Sequence, residues 1–156
     1  MNYTIRRATQ DDKSDIQILI DAFIKETEHY PLAEKAGEME HYYEYARTGI
    51  SHNDPVLVAQ NPDCELVGLL LWVEANFVYG TRLPPHTIAA LGTYVIPLYR
   101  RHNVASRLRD AGFKIMREQG YQRAVGTIHQ DNHAGSRSLE KRGWKTAFSV
   151  IVKELS

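Results

Sequence analysis

The segment Val95–Tyr121, VIPLYRRHNVASRLRDAGFKIMREQGY, changes its period in the middle. Up to Pro97 it continues the apolar run TIAALGTYVI, which reads as a strand. From Asn103 onward Val104, Leu108, Ala111 and Ile115 recur at i, i+4, i+7 and i+11, the stripe of an amphipathic helix that stops at Gly120. Between the two stand Arg100, Arg101 and His102, in a chain whose formal net charge is zero. A helix N-terminus presents unpaired N–H groups and the positive end of the helix dipole, so cations there are mildly unfavourable unless an anion is bound. The turn is therefore read as an anion site, with phosphate as the anion that fits it. Asn103 suits a turn that needs a left-handed residue, and the small Ala105 and Ser106 leave the backbone approachable. The alternative is a solvated basic turn whose arginines pair with acids such as Asp110 or Glu140.

Outward from this turn the pattern predicts a mixed α/β chain. YTIRRAT alternates as a first strand, Thr9 and Asp12 resemble a capping box, and Ile16, Leu19, Ile20 and Phe23 predict a helix from about Asp12 to Thr27. Past Pro31, Met39, Tyr42, Tyr43 and Ala46 predict a second, acidic helix closed by Gly49. PVLVAQ and ELVGLLLWVEA form a hairpin about the turn NPDC, whereas NFVYGTRLPPH reads as a loop because of Gly80 and the Pro84-Pro85 pair. QRAVGTI gives another strand, HAGSRSLEKRG a short helix stopped at Gly143, and WKTAFSVIVKEL a last long strand. The order is β-α-α-β-β-β-α-β-α-β.

Length and composition bound what such a chain does. The 156 residues suit one domain spanning 1–156, large enough to bury a core without a staple. Cys64 is the only cysteine, which excludes an internal disulfide and favours a reducing compartment; it is expected to be buried and inert. No apolar leader opens the chain, and LVGLLLWV is far short of the ~20 residues of a membrane span, so a soluble cytoplasmic protein is expected. Residues 1–54 hold six Lys/Arg against eleven Asp/Glu, a balance of minus five, while residues 82–156 hold thirteen against five, a balance of plus eight. Two surfaces facing ligands of opposite charge would produce that asymmetry, as would solvated helix faces alone.

The segment VIPLYRRHNVASRL resembles the acetyl-CoA signature of the GNAT superfamily of N-acetyltransferases, with Val95, Pro97, Tyr99, Arg100, Ala105 and Leu108 in register and Asn103 where glycine is usual. NHAGSRSLEKRGW resembles the second motif of that family through Asn132, Ala134, Glu140, Lys141, Gly143 and Trp144. The resemblance implies the GNAT fold, a mixed and mostly antiparallel sheet flanked by helices. It also implies transfer of an acetyl group from acetyl-CoA directly to a primary amine in a ternary complex, with no metal. Backbone around Tyr94 and Val95 would receive the acetyl and pantetheine groups, and Asn132 the pantetheine arm. Arg100, Arg101, His102, Asn103, Val104, Ala105 and Ser106 would receive the phosphates. Leu139 stands where the family often has a tyrosine acid, and Ala89, Ala90 and Thr127 where a strand glutamate is common. Tyr94, Ser138 and His129 are the candidate catalytic groups that remain, His129 by virtue of its pKa near neutrality.

Glu26, Glu28, His29 and Tyr30 fall where the acceptor-binding loop of the family begins. With Tyr42, Tyr43 and Tyr45 and the acidic N-terminal third, they suit a cationic amine, either small or borne on a peptide. Family habit implies a homodimer. Two rivals are a CoA-binding interaction module without catalysis and a basic helix laid on nucleic-acid phosphates, and a nucleic-acid-modifying enzyme would combine the two readings. The committed apolar face of the helix and the acidic N-terminal half argue against the second.

Overall fold

The continuous apolar run LVGLLLWV is the signature of a strand covered on both faces, and the rest of the chain supplies the two covers. The computed structural model describes residues 1–27, 44, 56–74, 77–78, 81–126, 128 and 131–147. Strands β1 (Thr4–Arg7), β2 (Leu57–Gln60), β3 (Leu66–Glu74), β6 (Thr87–Val95) and β7 (Arg123–Gly126) form one sheet in the order β1-β2-β3-β6-β7. Every pairing in it is antiparallel except β6 with β7, which is parallel. Helix α1 (Lys13–Thr27) covers one face and α2 (Val104–Glu118) the other, and the short helix α3 (His133–Glu140) follows β7.

The alternation of side chains divides the core by face. Val56, Val58, Leu69, Leu71 and Tyr94 pack with Ile16, Leu19 and Ile20 of α1. Leu57, Ala59, Val67, Leu70, Trp72, Ile88 and Val95 pack with Val104, Leu108 and Met116 of α2. Burying a large aliphatic side chain contributes about 1.5–3 kcal/mol, so the two layers hold both helices against the sheet. The predicted capping box is present: Asp12 accepts from the Thr9 N–H at 2.7 Å and from its hydroxyl at 3.0 Å. Arg6 of β1 completes it, donating to the two Asp12 oxygens at 2.8 Å each.

The structure departs from the sequence reading in several places. NFVYGTRLPPH is not all loop, because β4 (Phe77–Val78) and β5 (Thr81–Arg82) pair antiparallel; two intervening residues are hairpin spacing, and Gly80 lies between the strands. On α2 the buried residues are Val104, Leu108, Gly112 and Met116, whereas Ala111 and Ile115 are only half-buried. The buried stripe is turned toward the flank that carries Arg109 and Phe113, where Ser138 and Trp144 cover the helix. Cys64 is exposed rather than buried, since it occupies the β2–β3 turn in a left-handed conformation (φ 66°). Asn61 holds that turn, its side-chain oxygen accepting from the Glu65 N–H at 2.8 Å. Residues 144–147 are not in a strand. The remainder of the predicted last strand, and the predicted second helix apart from Glu44, lie outside the described residues. Among the described residues no helix is long and apolar enough to cross a membrane.

Candidate active site

Strand β6 is paired along its whole length on one side only. It meets β3 from Ile88 to Val95, but β7 only from Thr87 to Ala90. The register shifts opposite Leu71 and Trp72, so that Leu91 sits at a bulge where the β7 ladder stops. Beyond it, among the described residues, the β7 side of β6 has no strand partner. Ile96 donates its N–H toward β3, to the Val67 carbonyl at 3.1 Å. Strand alternation then turns the backbone groups of Val95 and Thr93 into the gap and those of Tyr94 toward Leu69. A gap edged by strand amides and carbonyls that meet no neighbouring strand is a receptor for an extended chain that carries amides of its own.

The gap leads into the basic turn. Pro97–Tyr99 makes one 3-10 turn, Arg101 and Asn103 both take positive φ (63° and 62°), and α2 starts at Val104. Asn103 is thus left-handed, as its sequence context requires; Arg101 is too, which the sequence does not announce. The first helical bond runs from the Arg107 N–H to the Asn103 carbonyl at 3.0 Å. The N–H groups of Val104, Ala105 and Ser106 therefore have no acceptor within the helix. Asn103 makes no side-chain cap, and no acid stands in the first turn. Tyr3 braces the turn, its hydroxyl donating to the His102 carbonyl at 3.0 Å and its ring lying 5.0 Å from the Arg107 guanidinium. The Arg101 side chain is exposed and has no ion-pair partner among the described residues. Free helix amides, two left-handed residues and an uncommitted arginine fit a phosphate group.

Arg100 is oriented differently from Arg101. Its Nε donates to the Val95 carbonyl at 2.9 Å, its guanidinium lies 5.7 Å from the Tyr94 ring centroid, and a terminal nitrogen pairs with Glu26 at the end of α1. The Glu26 hydrogen bond, against the opposing effect of burial, raises its pKa above the ordinary arginine value. Arg100 is thus engaged on the α1 side, and neither turn arginine pairs with Asp110 or Glu140. Asp110 is held instead by Arg142 at 3.0 Å.

The remaining candidates separate. Tyr94 is buried, with Phe23 on one side at 6.0 Å and Arg100 on the other. Asn132 is the N-cap of α3, its Oδ1 accepting from the Gly135 N–H at 2.9 Å. Ser138 accepts from Arg109 at 3.4 Å across the α2–α3 contact. Arg109 has its Nε buried without a hydrogen-bond partner, and burial lowers its pKa, with Arg142 acting in the same direction. His129, Glu28, His29 and Tyr30, and the tyrosines 42, 43 and 45, lie outside the described residues. Tyr3, Phe23, Arg107 and Arg109 were not singled out as site residues by sequence, where each reads as core or surface; the folded chain brings Tyr3 and Arg107 to the turn, Phe23 to the open stretch of β6 and Arg109 to Ser138. A cleft of about 230 Å³ lined by Phe113, Met116, Arg117, Tyr121, Gln122, Arg123 and Ala124 lies at the far end of α2. A helix of that length sets it roughly 20 Å from the turn, too far to share one reacting centre.

A parallel pair that opens at a bulge, beside a helix N-terminus whose free amides fit a phosphate, is the arrangement of an acyl-CoA-binding fold. The model of the acetyltransferase (GNAT) family matches residues 16–144, and the chain belongs to that family. It is an acetyl-CoA-dependent N-acetyltransferase. Comparison with curated protein sequences finds no match. Among solved structures the fold is shared with an N-acetyltransferase from Staphylococcus aureus Mu50, at 23% identity and a TM-score of 0.71 over 95% of this chain and 86% of that one. It is shared also with aminoglycoside 6'-N-acetyltransferase AAC(6')-Ih from Acinetobacter baumannii, at 14% identity and a TM-score of 0.69 over 99% of each chain. AAC(6')-Iy in complex with the bisubstrate analog CoA-S-monomethyl-acetylneamine matches at 15% identity and a TM-score of 0.71, over 100% of this chain and 99% of that one.

Proposed function

We propose that the chain acetylates a small cationic primary amine by direct attack of the amine on acetyl-CoA, with both substrates bound at once along the open edge of β6. The observation that carries this reading is the continuity of the gap with the turn: Val95 leads within a few residues to the left-handed Arg101 and Asn103 and to the free amides of α2. The turn from Arg101 to Ser106 receives the coenzyme phosphates, and the Val95 N–H and the Thr93 backbone receive the pantetheine amides, the Val95 carbonyl being held by Arg100. Asn132 commits its Oδ1 to the Gly135 N–H as the cap of α3, which leaves its side-chain Nδ2 to donate to the pantetheine arm. Acetyl-CoA supplies a thioester whose leaving group, an alkyl thiol of pKa about 8.5, departs without a strong acid. That matters here because Leu139 stands at the usual tyrosine and Ser138 is occupied by Arg109.

The amine attacks as a free base, so turnover rises with pH toward the amine's own pKa, about 10.4 for a lysine-type amine. The α2 face of β6 carries the phosphate turn, which leaves the α1 face, with Phe23 and Tyr94, as the side of amine approach. The aminoglycoside acetyltransferases among the structural relatives and the acidic N-terminal third support a cationic acceptor.

The test is calorimetric titration of CoA into the wild type and Arg101→Ala, followed by turnover of spermidine, neamine and a lysyl peptide with acetyl-CoA. Micromolar CoA affinity, weakened about tenfold in the variant, is expected for loss of one charge-assisted phosphate contact. Unchanged affinity in the variant would move the phosphates elsewhere, and no turnover of any of the three amines would overturn the acceptor class.

A further inference from the structure

Three contacts converge on Arg100, and none of them faces the phosphate turn. Its Nε holds the Val95 carbonyl, one of the backbone groups turned into the gap. Its guanidinium lies beside the Tyr94 ring, which projects to the α1 face and meets Phe23. Its terminal nitrogen reaches Glu26, one helical turn beyond Phe23 and 74 residues away in the chain. Phe23 itself packs against the open stretch of β6, since a Cβ on Gly92 would lie 3.3 Å from its ring. The last turn of α1 is therefore fixed to the gap by the apolar contacts of Phe23 and by one arginine.

An arginine fork can serve a carbonyl and a carboxylate at once because its donors diverge in one plane, a geometry that an ammonium lacks. Both partners of the ion pair are substantially exposed, and such pairs contribute little to stability. The arrangement is thus poorly explained as a device for holding the fold.

We propose that Arg100 is a positioning residue that ties the strand end at the gap to the end of α1, and so governs amine turnover and not coenzyme affinity. The inference rests on the reading above that the amine approaches from the α1 face. With Arg100 in place the Val95 carbonyl is held and α1 ends at a fixed height over β6, so the acceptor meets a pre-formed wall. Without it the α1 end is free to shift relative to the thioester, and small displacements of a reacting group have large effects on rate. Glu26 serves as the far anchor of this tie rather than as a receptor for the acceptor's charge.

The experiment compares Arg100→Ala, Arg100→Lys, Glu26→Ala and the double variant Arg100→Ala/Glu26→Ala in the full chain. CoA affinity is measured by calorimetry, and kcat and KM with whichever of spermidine, neamine and the lysyl peptide the wild type acetylates best. Expected for Arg100→Ala is a CoA affinity within about twofold of wild type and a kcat/KM for the amine lower by about tenfold or more. Glu26→Ala should reproduce the loss, the double variant should cost no more than Arg100→Ala alone, and Arg100→Lys should recover only part of it. Alanine at an exposed position of a helical last turn keeps the helix, so Glu26→Ala carries the test even if Arg100→Ala folds poorly. Weakened CoA binding with unchanged amine kinetics in Arg100→Ala would make it a phosphate ligand and overturn the proposal. Wild-type kinetics in Glu26→Ala, or additive losses in the double variant, would overturn the tie. A wild type that binds CoA but acetylates none of the amines would instead remove the acceptor reading on which the proposal rests.

Discussion

Two residues with positive φ, Arg101 and Asn103, shape the turn proposed above to receive the coenzyme phosphates. Asparagine tolerates the left-handed region better than other non-glycine residues, while a β-branched residue there is strained by about 1–3 kcal/mol. Asn103→Val is therefore expected to lower unfolding free energy by that amount and to weaken CoA binding. Asn103→Gly should preserve stability to within about 1 kcal/mol and bind CoA at least as tightly. Denaturant unfolding with calorimetry decides this, and a valine variant with wild-type stability and affinity would show that the backbone relaxes at no cost. Asn103 was legible in the sequence because one residue type in one place answers a local conformational need. The direction of Arg100 was not. Two adjacent arginines are equivalent on paper, and their division between phosphate turn and α1 depends on Glu26, far off in the chain, and on a carbonyl that leaves no mark in the sequence.

Helices α1 and α2 were legible as elements because each carries both a period and an end signal, Thr9 with Asp12 before α1 and Gly120 after α2, while α3 was marked by its stop at Gly143 and its Asn132 cap was not foreseen. What locks an element to its neighbour was less visible, as Arg6 shows. Its guanidinium holds the Asp12 carboxyl to a pKa of about 2, below the ordinary 3.8, with the two Thr9 bonds acting in the same direction. Because the folded pKa is depressed, the stabilisation is complete above the unfolded value near 3.8 and disappears as pH falls through about 2. The shift corresponds to about 2 kcal/mol, so Arg6→Met should be less stable than wild type by that order at pH 6, with the two converging near pH 2. Urea unfolding across this range tests it, and a difference that persists at pH 2 would assign the loss to packing. Gly112 gives a second test on the opposite face. A Cβ there would sit 2.8 Å from Leu70 Cδ2, in a fully buried contact. The helix-propensity gain of alanine, about 1 kcal/mol, is outweighed by overpacking of about 1–3 kcal/mol. Gly112→Ala is expected to destabilise by about 1 kcal/mol in urea, and a stabilised variant would mean that Leu70 re-seats.

At the scale of the molecule, both strands that edge the gap come from the basic portion of the sequence, while β1 of the acidic portion lies at the opposite edge of the sheet. The basic portion supplies β6, α2, β7 and α3, and with them the basic turn; the acidic portion supplies β1 and α1, where residues 1–27 hold four Lys/Arg against five Asp/Glu, and the rest of its acidic excess belongs to residues 28–54, which apart from Glu44 lie outside the described residues. That division was visible in the sequence as a charge asymmetry, but its meaning depended on the opening between β6 and β7, which no local pattern encodes because it arises where a parallel ladder stops at a bulge. An anionic coenzyme and a cationic acceptor would each meet complementary charge, and fields of this kind act chiefly on encounter and affinity. They also reach only about one Debye length, ~10 Å at 0.1 M salt and less above it. At saturating acetyl-CoA, kcat/KM should therefore be higher for spermidine than for a monoamine, and lowest for an amine that carries a carboxylate. The spread should narrow several-fold between about 0.05 M and 0.5 M salt, because the polyamine loses the most attraction. Holding the coenzyme saturating removes its own salt dependence from the comparison. An acidic amine turned over best at low salt, or a ranking unaffected by salt, would show that shape rather than charge selects the acceptor.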